Sequence, residues 1–256
     1  ELIDQTENTQ PAIFLVSYSI FEVIKKETSF NLNNAKFFAG HSLGEYSALA
    51  CSGSLSFDQT IKLLQSRGRY MQSAVPKGQG GMIAVLGSEI KNINEIINNN
   101  KDKFKCYIAN DNSTGQVVVS GNINELNKFS EELKKSKIKN IKLPVSAPFH
   151  CELMKNATEK MREELTKVEF KKPEVNIISN VTAQQTNDPN EIKKLLVDQI
   201  EKPVRWREIV INMIDFKVEK FIEIGPGKVL SGLVKRINNN VELIQVNELE
   251  DINKLI

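Results

Sequence analysis

Apolar Ile13, Val16, Ile20 and Ile24 recur close to every 3.6 residues after Pro11 and predict a buried helix that opens on the proline. "AKFFAG" at 35–40 is a short strand candidate running into a glycine-flanked turn, and "EYSALACSG" continues beyond it as a helix of small residues. Ser56 and Gln59 fit a capping box before a helix whose inward stripe is Phe57, Ile61, Leu64 and Met71. At about 100° per residue Arg67 falls inside that stripe, whereas Arg69 joins Lys62, Gln65, Ser66 and Ser73 on the polar face. A guanidinium turned inward needs an anion or several acceptors.

"PKGQGG" at 76–81 ends this pattern. Strand 82–87, helix 88–99, strands 105–110 and 116–120, helix 122–136 and strand 139–145 follow, a β-α-β-β-α-β order of the ferredoxin-like kind. Its helices carry the Lys, Glu and Asn of solvent faces, so residues 77–145 read as a subdomain inserted into a larger unit of 1–76 and 146–256. After residue 150 come a helix to about 167, strand 175–180, helices near 189–200 and 205–216, strand 220–225 and a last helix from about 228. This alternation predicts an α/β fold with a mostly parallel sheet covered on both faces. No internal repeat is visible, and the Asn runs at 98–100 and 238–240 read as loop tips.

With 40% hydrophobic and 26% charged residues in 256, the chain has ample core-forming material. A net charge of only +2, mixed along the chain, gives no field suited to nucleic acid. The basic stretch "KKSKIKNIK" at 134–142 reads as a solvated helix end and linker, with docking of an acidic partner as its other use. Cys51, Cys106 and Cys151 are odd in number and lack paired spacing, and no secretory segment is evident, so reduced thiols are expected. No apolar run approaches the ~20 residues that span a bilayer. The expectation is a cytoplasmic monomer, an organellar stroma or matrix also being open.

Candidate chemistry centres on "AGHSLGEYSAL" at 39–49. A G-x-S-x-G turn between strand and helix exposes its serine at the strand's carboxyl end, here Ser42, and aims the next amide, Leu43 N–H, at a developing oxyanion. The same pentapeptide also fits a mere turn, so partners must decide. The chain has only two histidines. His41 adjoins Ser42, and adjacent side chains on an extended segment point to opposite faces, so His150, in the proline-bearing loop "LPVSAPFHCEL", is the stronger candidate for the base. No Asp stands in an obvious triad position, and a carbonyl from Gln199 is a candidate to orient the imidazole. Cys151 is a competing nucleophile. "EIGPGKVLSG" at 223–232 lacks the order of a phosphate loop and reads as a strand-to-helix turn.

Ser42, Arg67 and His150, with "TQPAI", "GHSLGEYSALACSG", "RGRYMQSAVPKGQGGMIAVLG", "STGQVVVSG", "LPVSAPFHCELM", "PVRW" and "EIGPGKVLSGLVKR" in order, cover nearly the whole chain. Together they make it resemble the malonyl-CoA:acyl carrier protein transacylases of fatty acid synthesis, and more broadly the acyltransferase domains of polyketide synthases. The resemblance implies an α/β-hydrolase-like large domain with an inserted ferredoxin-like subdomain. It implies Ser42 as acylated nucleophile, His150 as base, Gln199 as donor of the orienting main-chain carbonyl and Arg67 as grip on the malonyl carboxylate. Phe149 looks like the malonyl-accepting form of its motif and would disfavour a 2-methyl branch. The expected substrate-binding set is Arg67, Phe149 and His41. No metal or resident cofactor is implied, since coenzyme A enters as part of the substrate, malonyl-CoA, and acyl carrier protein is the second partner. The family also has an upstream strand and Gly-rich loop whose glutamine gives a second oxyanion donor, and nothing before Thr9 resembles it. Alternatives are a polyketide-type acyltransferase, a general serine esterase, which has no need of Arg67, and an inactive carrier-binding module.

Overall fold

In the computed structural model, which describes residue 3 and residues 5–255, helix α1 spans Thr6–Glu27 and carries Pro11 inside it. Its buried face is Gln10, Phe14, Ser17, Phe21 and Ile24, while Val16 is 40% exposed, so the predicted stripe is rotated around the helix. The reason lies in two polar positions. Gln10 accepts a hydrogen bond from Arg67 at 2.6 Å, and Ser17 lies so close to Gly225 that a Cβ there would sit 2.3 Å from its Oγ. Counting apolar residues alone misses a face that includes polar members.

Helix α2 (Leu43–Cys51) and helix α3 (Phe57–Ser73) follow. The capping box forms as predicted, Ser56 Oγ accepting from Gln59 N–H at 3.2 Å and Gln59 Oε1 from Ser56 N–H at 2.9 Å. Gly68 brings α3 against the start of α1, since a Cβ there would lie 2.6 Å from the Thr6 carbonyl oxygen. Phe14, Tyr46, Leu49, Leu64 and Met71 from these helices form one core with Met154, Met161 and Leu196.

Residues 80–142 build a four-stranded sheet from β1 (Gly80–Leu86), β2 (Cys106–Ser113), β3 (Gln116–Asn122) and β4 (Lys139–Lys142), in the order β2-β3-β1-β4 with every pair antiparallel. Helices α4 (Ile90–Asn99) and α5 (Ile123–Lys135) place Ile93, Leu126, Phe129 and Leu133 against Ile83, Val85, Val117 and Val119. The alternate residues Met82, Ala84, Ala109 and Val118 form the other face, which meets Leu143, Val145 and Phe149. Strand β4 ends earlier than predicted, before Pro144. The edge strand β2 is stitched to the rest of the chain: Asp111 N–H donates to Val204 O and Val204 N–H to Ala109 O, both at 2.9 Å. The Arg207–Asp111 ion pair at 2.8 Å closes the same seam.

The remaining α-helices and strands are α6 (Lys155–Thr166), β5 (Ile177–Ile178), β6 (Gln185–Thr186), α7 (Pro189–Asp198), α8 (Trp206–Asp215), β7 (Lys220–Ile224), α9 (Val229–Ile237) and β8 (Glu242–Val246). The architecture is mixed α/β. The expectation of a mostly parallel sheet needs correction among the described residues. Parallel pairing occurs between β7 and β8 and at the isolated bridges Phe38–Ile177 and Asn110–Val204, but β5 pairs antiparallel with β6. The predicted strand 175–180 shrinks to two residues because the chain turns back after it, Ser179 N–H donating to Gln184 O at 3.0 Å. That turn frees Asn180 for another task.

Candidate active site

Ser42 caps α2 with φ 53° and ψ −110°, a strained geometry for a residue with a side chain. The glycines make it feasible: a Cβ on Gly40 would lie 2.0 Å from the Gly44 carbonyl carbon and oxygen. Asn180, fully buried, brackets the turn, its Oδ1 accepting from Ser42 N–H at 2.7 Å and its Nδ2 donating to Gly40 O at 2.8 Å. The Gly44 and Glu45 amides are committed to His41 O and Ser42 O at 2.9 and 3.1 Å. Leu43, the first residue of α2, holds the amide next to the serine at the helix's positive end.

The loop after β4 delivers His150, 4% exposed and at φ 58°. Its Nε2 lies 2.8 Å from Ser42 Oγ, and its Nδ1–H donates to the main-chain carbonyl of Gln199 at 2.8 Å. That second bond fixes the tautomer that presents a lone pair to the serine. Burial first, then the Arg67 charge, pushes the imidazole pKa down to about 3, against the Gln199 bond that pulls it up. The His150 imidazole is therefore neutral in the physiological range, with Nε2 free to accept.

Arg67 is 1% exposed. It donates from Nη1 to Gln10 Oε1 at 2.6 Å, and from Nη2 to Gln199 Oε1 at 2.9 Å and to Ser42 Oγ at 3.0 Å. Its guanidinium carbon lies 5.7 Å from the Tyr46 ring centroid. Burial lowers its pKa, with Tyr46 and Glu45 opposing. All of its hydrogen-bond acceptors are thus uncharged oxygens that a carboxylate can displace.

The other sequence candidates separate. Phe149 is half-buried, packs on both the main core and the inner face of the β1–β4 sheet, and accepts Ser120 Oγ–H at its carbonyl at 2.6 Å. His41 turns from Ser42 toward β2, its Nε2 2.8 Å from Asn112 Oδ1 and its ring 5.7 Å from that of Trp206. Burial lowers the His41 pKa. Cys151 is not placed as a nucleophile: it is 2% exposed, its thiol is directed at Pro148 O at 3.1 Å, and burial pushes its pKa up to about 12.

Sequence reasoning missed Gln10, Glu45, Asn112 and Asn180. Glu45 is 2% exposed and accepts from Asn180 N–H at 3.1 Å and Gln199 Nε2 at 2.8 Å. The only local signal was polarity on a buried face, visible for Gln10 once the α1 stripe is read as 10-14-17-21-24. A serine paired with a neutral imidazole suits acyl transfer through an ester, and a buried guanidinium in contact with that serine suits an acyl group carrying its own carboxylate.

Known proteins share this arrangement of sequence. Residues 1–249 match the acyl transferase domain family. Over 254 residues the chain is 40% identical to the malonyl CoA-acyl carrier protein transacylase of Bacillus subtilis, covering 98% of this chain and 79% of that one. The crystal structure of the acyl-carrier-protein S-malonyltransferase of Bartonella henselae superposes with a TM-score of 0.95 at 39% identity, over 99% of this chain and 81% of that one. A malonyl-transacylase solved in complex with its type II polyketide acyl-carrier protein matches with a TM-score of 0.94 at 35% identity, over 99% and 81%. The chain belongs to the acyl transferase domain family.

Proposed function

We propose that this protein moves a malonyl group from malonyl-CoA to the phosphopantetheine thiol of acyl carrier protein, through an ester on Ser42, in fatty acid synthesis. The observation that carries the reading is one hydroxyl with two neighbours: Ser42 Oγ lies 2.8 Å from His150 Nε2 and 3.0 Å from Arg67 Nη2. The base and the carboxylate-recognising group thus converge on the nucleophile. Relatives named for malonyl transfer, one of them in complex with a polyketide carrier protein, support the same substrates.

His150 Nε2 takes the Ser42 proton as Oγ bonds to the thioester carbonyl carbon. Leu43 N–H donates to the oxyanion, and collapse breaks the carbon–sulfur bond while His150 returns the proton to the coenzyme A sulfur. The carrier's thiol then repeats the sequence in reverse: His150 takes the thiol proton, sulfur attacks the ester carbonyl, and Ser42 leaves with that proton. Arg67 holds the malonyl carboxylate as a planar fork. Phe149 restricts space beside the acyl chain and disfavours a 2-methyl branch, and His41 borders the pocket through Asn112. The chemistry needs neither metal nor resident cofactor. Residues 77–145 act as an inserted ferredoxin-like subdomain on an α/β-hydrolase-like unit of 1–76 and 146–256, in a cytoplasmic monomer.

The test is intact-protein mass after brief mixing with malonyl-CoA. One malonyl adduct on the wild-type chain and none on Ser42→Ala is expected, followed by its loss when carrier protein is added. An adduct that persists in Ser42→Ala would refute the assignment.

A further inference from the structure

Glu45 is a buried carboxylate that no step above uses, yet both of its hydrogen-bond donors belong to residues that touch the reacting groups. Through Oε2 it accepts from Asn180 N–H at 3.1 Å and from Gln199 Nε2 at 2.8 Å. Asn180 brackets the Ser42 turn from Gly40 O to Ser42 N–H. Gln199 offers its main-chain carbonyl to His150 and its Oε1 to Arg67, while Nε2 also reaches Ser42 O at 3.0 Å.

A glutamine amide can present either end to a neighbour. An acceptor at Glu45 demands the NH₂ end, so the carbonyl end must face the Arg67 donor; reversed, two donors would meet at Arg67 and two acceptors at Glu45. We infer that Glu45 is a positioning residue, whose one oxygen ties Asn180 to Gln199 and so holds the serine turn, the histidine's orienting carbonyl and the arginine's acceptor in a single register. The inference rests on the roles of Ser42, His150 and Arg67 proposed above. It assigns the effect to reach and acceptor character. Burial raises the carboxyl to about 7, which fits a group whose charge is not essential.

Three variants separate the terms. Glu45→Gln keeps the reach and one acceptor without charge, Glu45→Met keeps the shape without an acceptor, and Glu45→Asp keeps the charge but withdraws it by ~1.5 Å, one methylene. Acylation kinetics are measured beside ¹⁵N spectra of histidine-labelled protein, in which only His41 and His150 report. The expected result is that Glu45→Gln loses less than about fivefold in kcat and retains the His150 tautomer protonated at Nδ1. Glu45→Met and Glu45→Asp lose roughly 10- to 100-fold in kcat, KM moves less, and His150 shows both tautomers. If Glu45→Met does not fold, the contrast between Glu45→Gln and Glu45→Asp decides. A crippled Glu45→Gln overturns the inference, as does wild-type behaviour of Glu45→Asp. Failure of the wild-type chain to take up a malonyl group would sink the reading of the site instead, and the tautomer comparison would still decide the role of Glu45.

Discussion

Replacing Arg67 with Ala separates selectivity from chemistry. The guanidinium is fully inside the protein, and its hydrogen bonds go to Gln10, Gln199 and Ser42, all neutral. A malonyl carboxylate gains two charge-assisted bonds there, each worth about 1.5–3 kcal/mol, while an acetyl group gains neither. Deletion is therefore expected to lower kcat/KM for malonyl-CoA by roughly 10²–10⁴, from the ~1.4 kcal/mol that corresponds to a factor of ten. Acetyl transfer should hold or rise, because an apolar methyl group no longer meets a desolvated cation. The assay mixes malonyl-CoA and acetyl-CoA with one protein sample and reads the ratio of the two adducts by intact mass. Because both products come from the same molecules, loss of folded protein cancels, which matters since the variant strands the Gln10 and Gln199 oxygens. Equal falls in both rates would refute the reasoning and make Arg67 a structural residue.

Four further outcomes are expected. Burial and the Arg67 charge keep His150 neutral down to about pH 3, so the acylation rate should show no histidine step between pH 8 and 5; a fall centred near 6.5 would contradict this. Its folded pKa lies below the ordinary histidine value, so the unfolded chain binds the extra proton and stability should be lost as pH falls from about 6.5 toward 3, a slope that His150→Gln flattens in urea titrations. Asn180→Ala leaves Ser42 N–H and Gly40 O without partners and should destabilise by about 2–4 kcal/mol in chemical denaturation, with a matching loss of acylation; unchanged stability would remove the bracketing role. Charge reversal at the exposed Lys134, Lys135 and Lys137 should weaken carrier-protein affinity at low salt and much less at high salt; an unchanged affinity would take this face out of the interface.

Features set by near neighbours in sequence were legible. The capping box of Ser56 and Gln59, the inward Arg67, the glycine-framed serine and the order of elements from 80 to 142 all follow from local spacing. His150 was reachable because a base was required and histidines are few. Groups whose purpose is set by distant partners were not: Asn180 meets Ser42 across 138 positions and Gln199 meets Glu45 across 154. A polar residue inside a helix or at a turn looks alike whether it faces water or a buried donor. The same blindness rotated the α1 stripe and concealed the short β6, whose place is fixed by the turn that starts at Ser179.

The carbonyl of Gln199 stands where many serine–histidine pairs place a carboxylate. In a pocket that must admit an anion, an acidic third member would bid for the same arginine and repel the incoming malonate head. On the proposed function, a neutral dipole would steer the imidazole without placing a further carboxylate beside Arg67, leaving the guanidinium for the acyl group. It also leaves the imidazolium less stabilised, which favours prompt return of the proton to the departing sulfur. On the proposed function, the residue that orients the imidazole would thus bear on the selectivity for the acyl group as well as on reactivity.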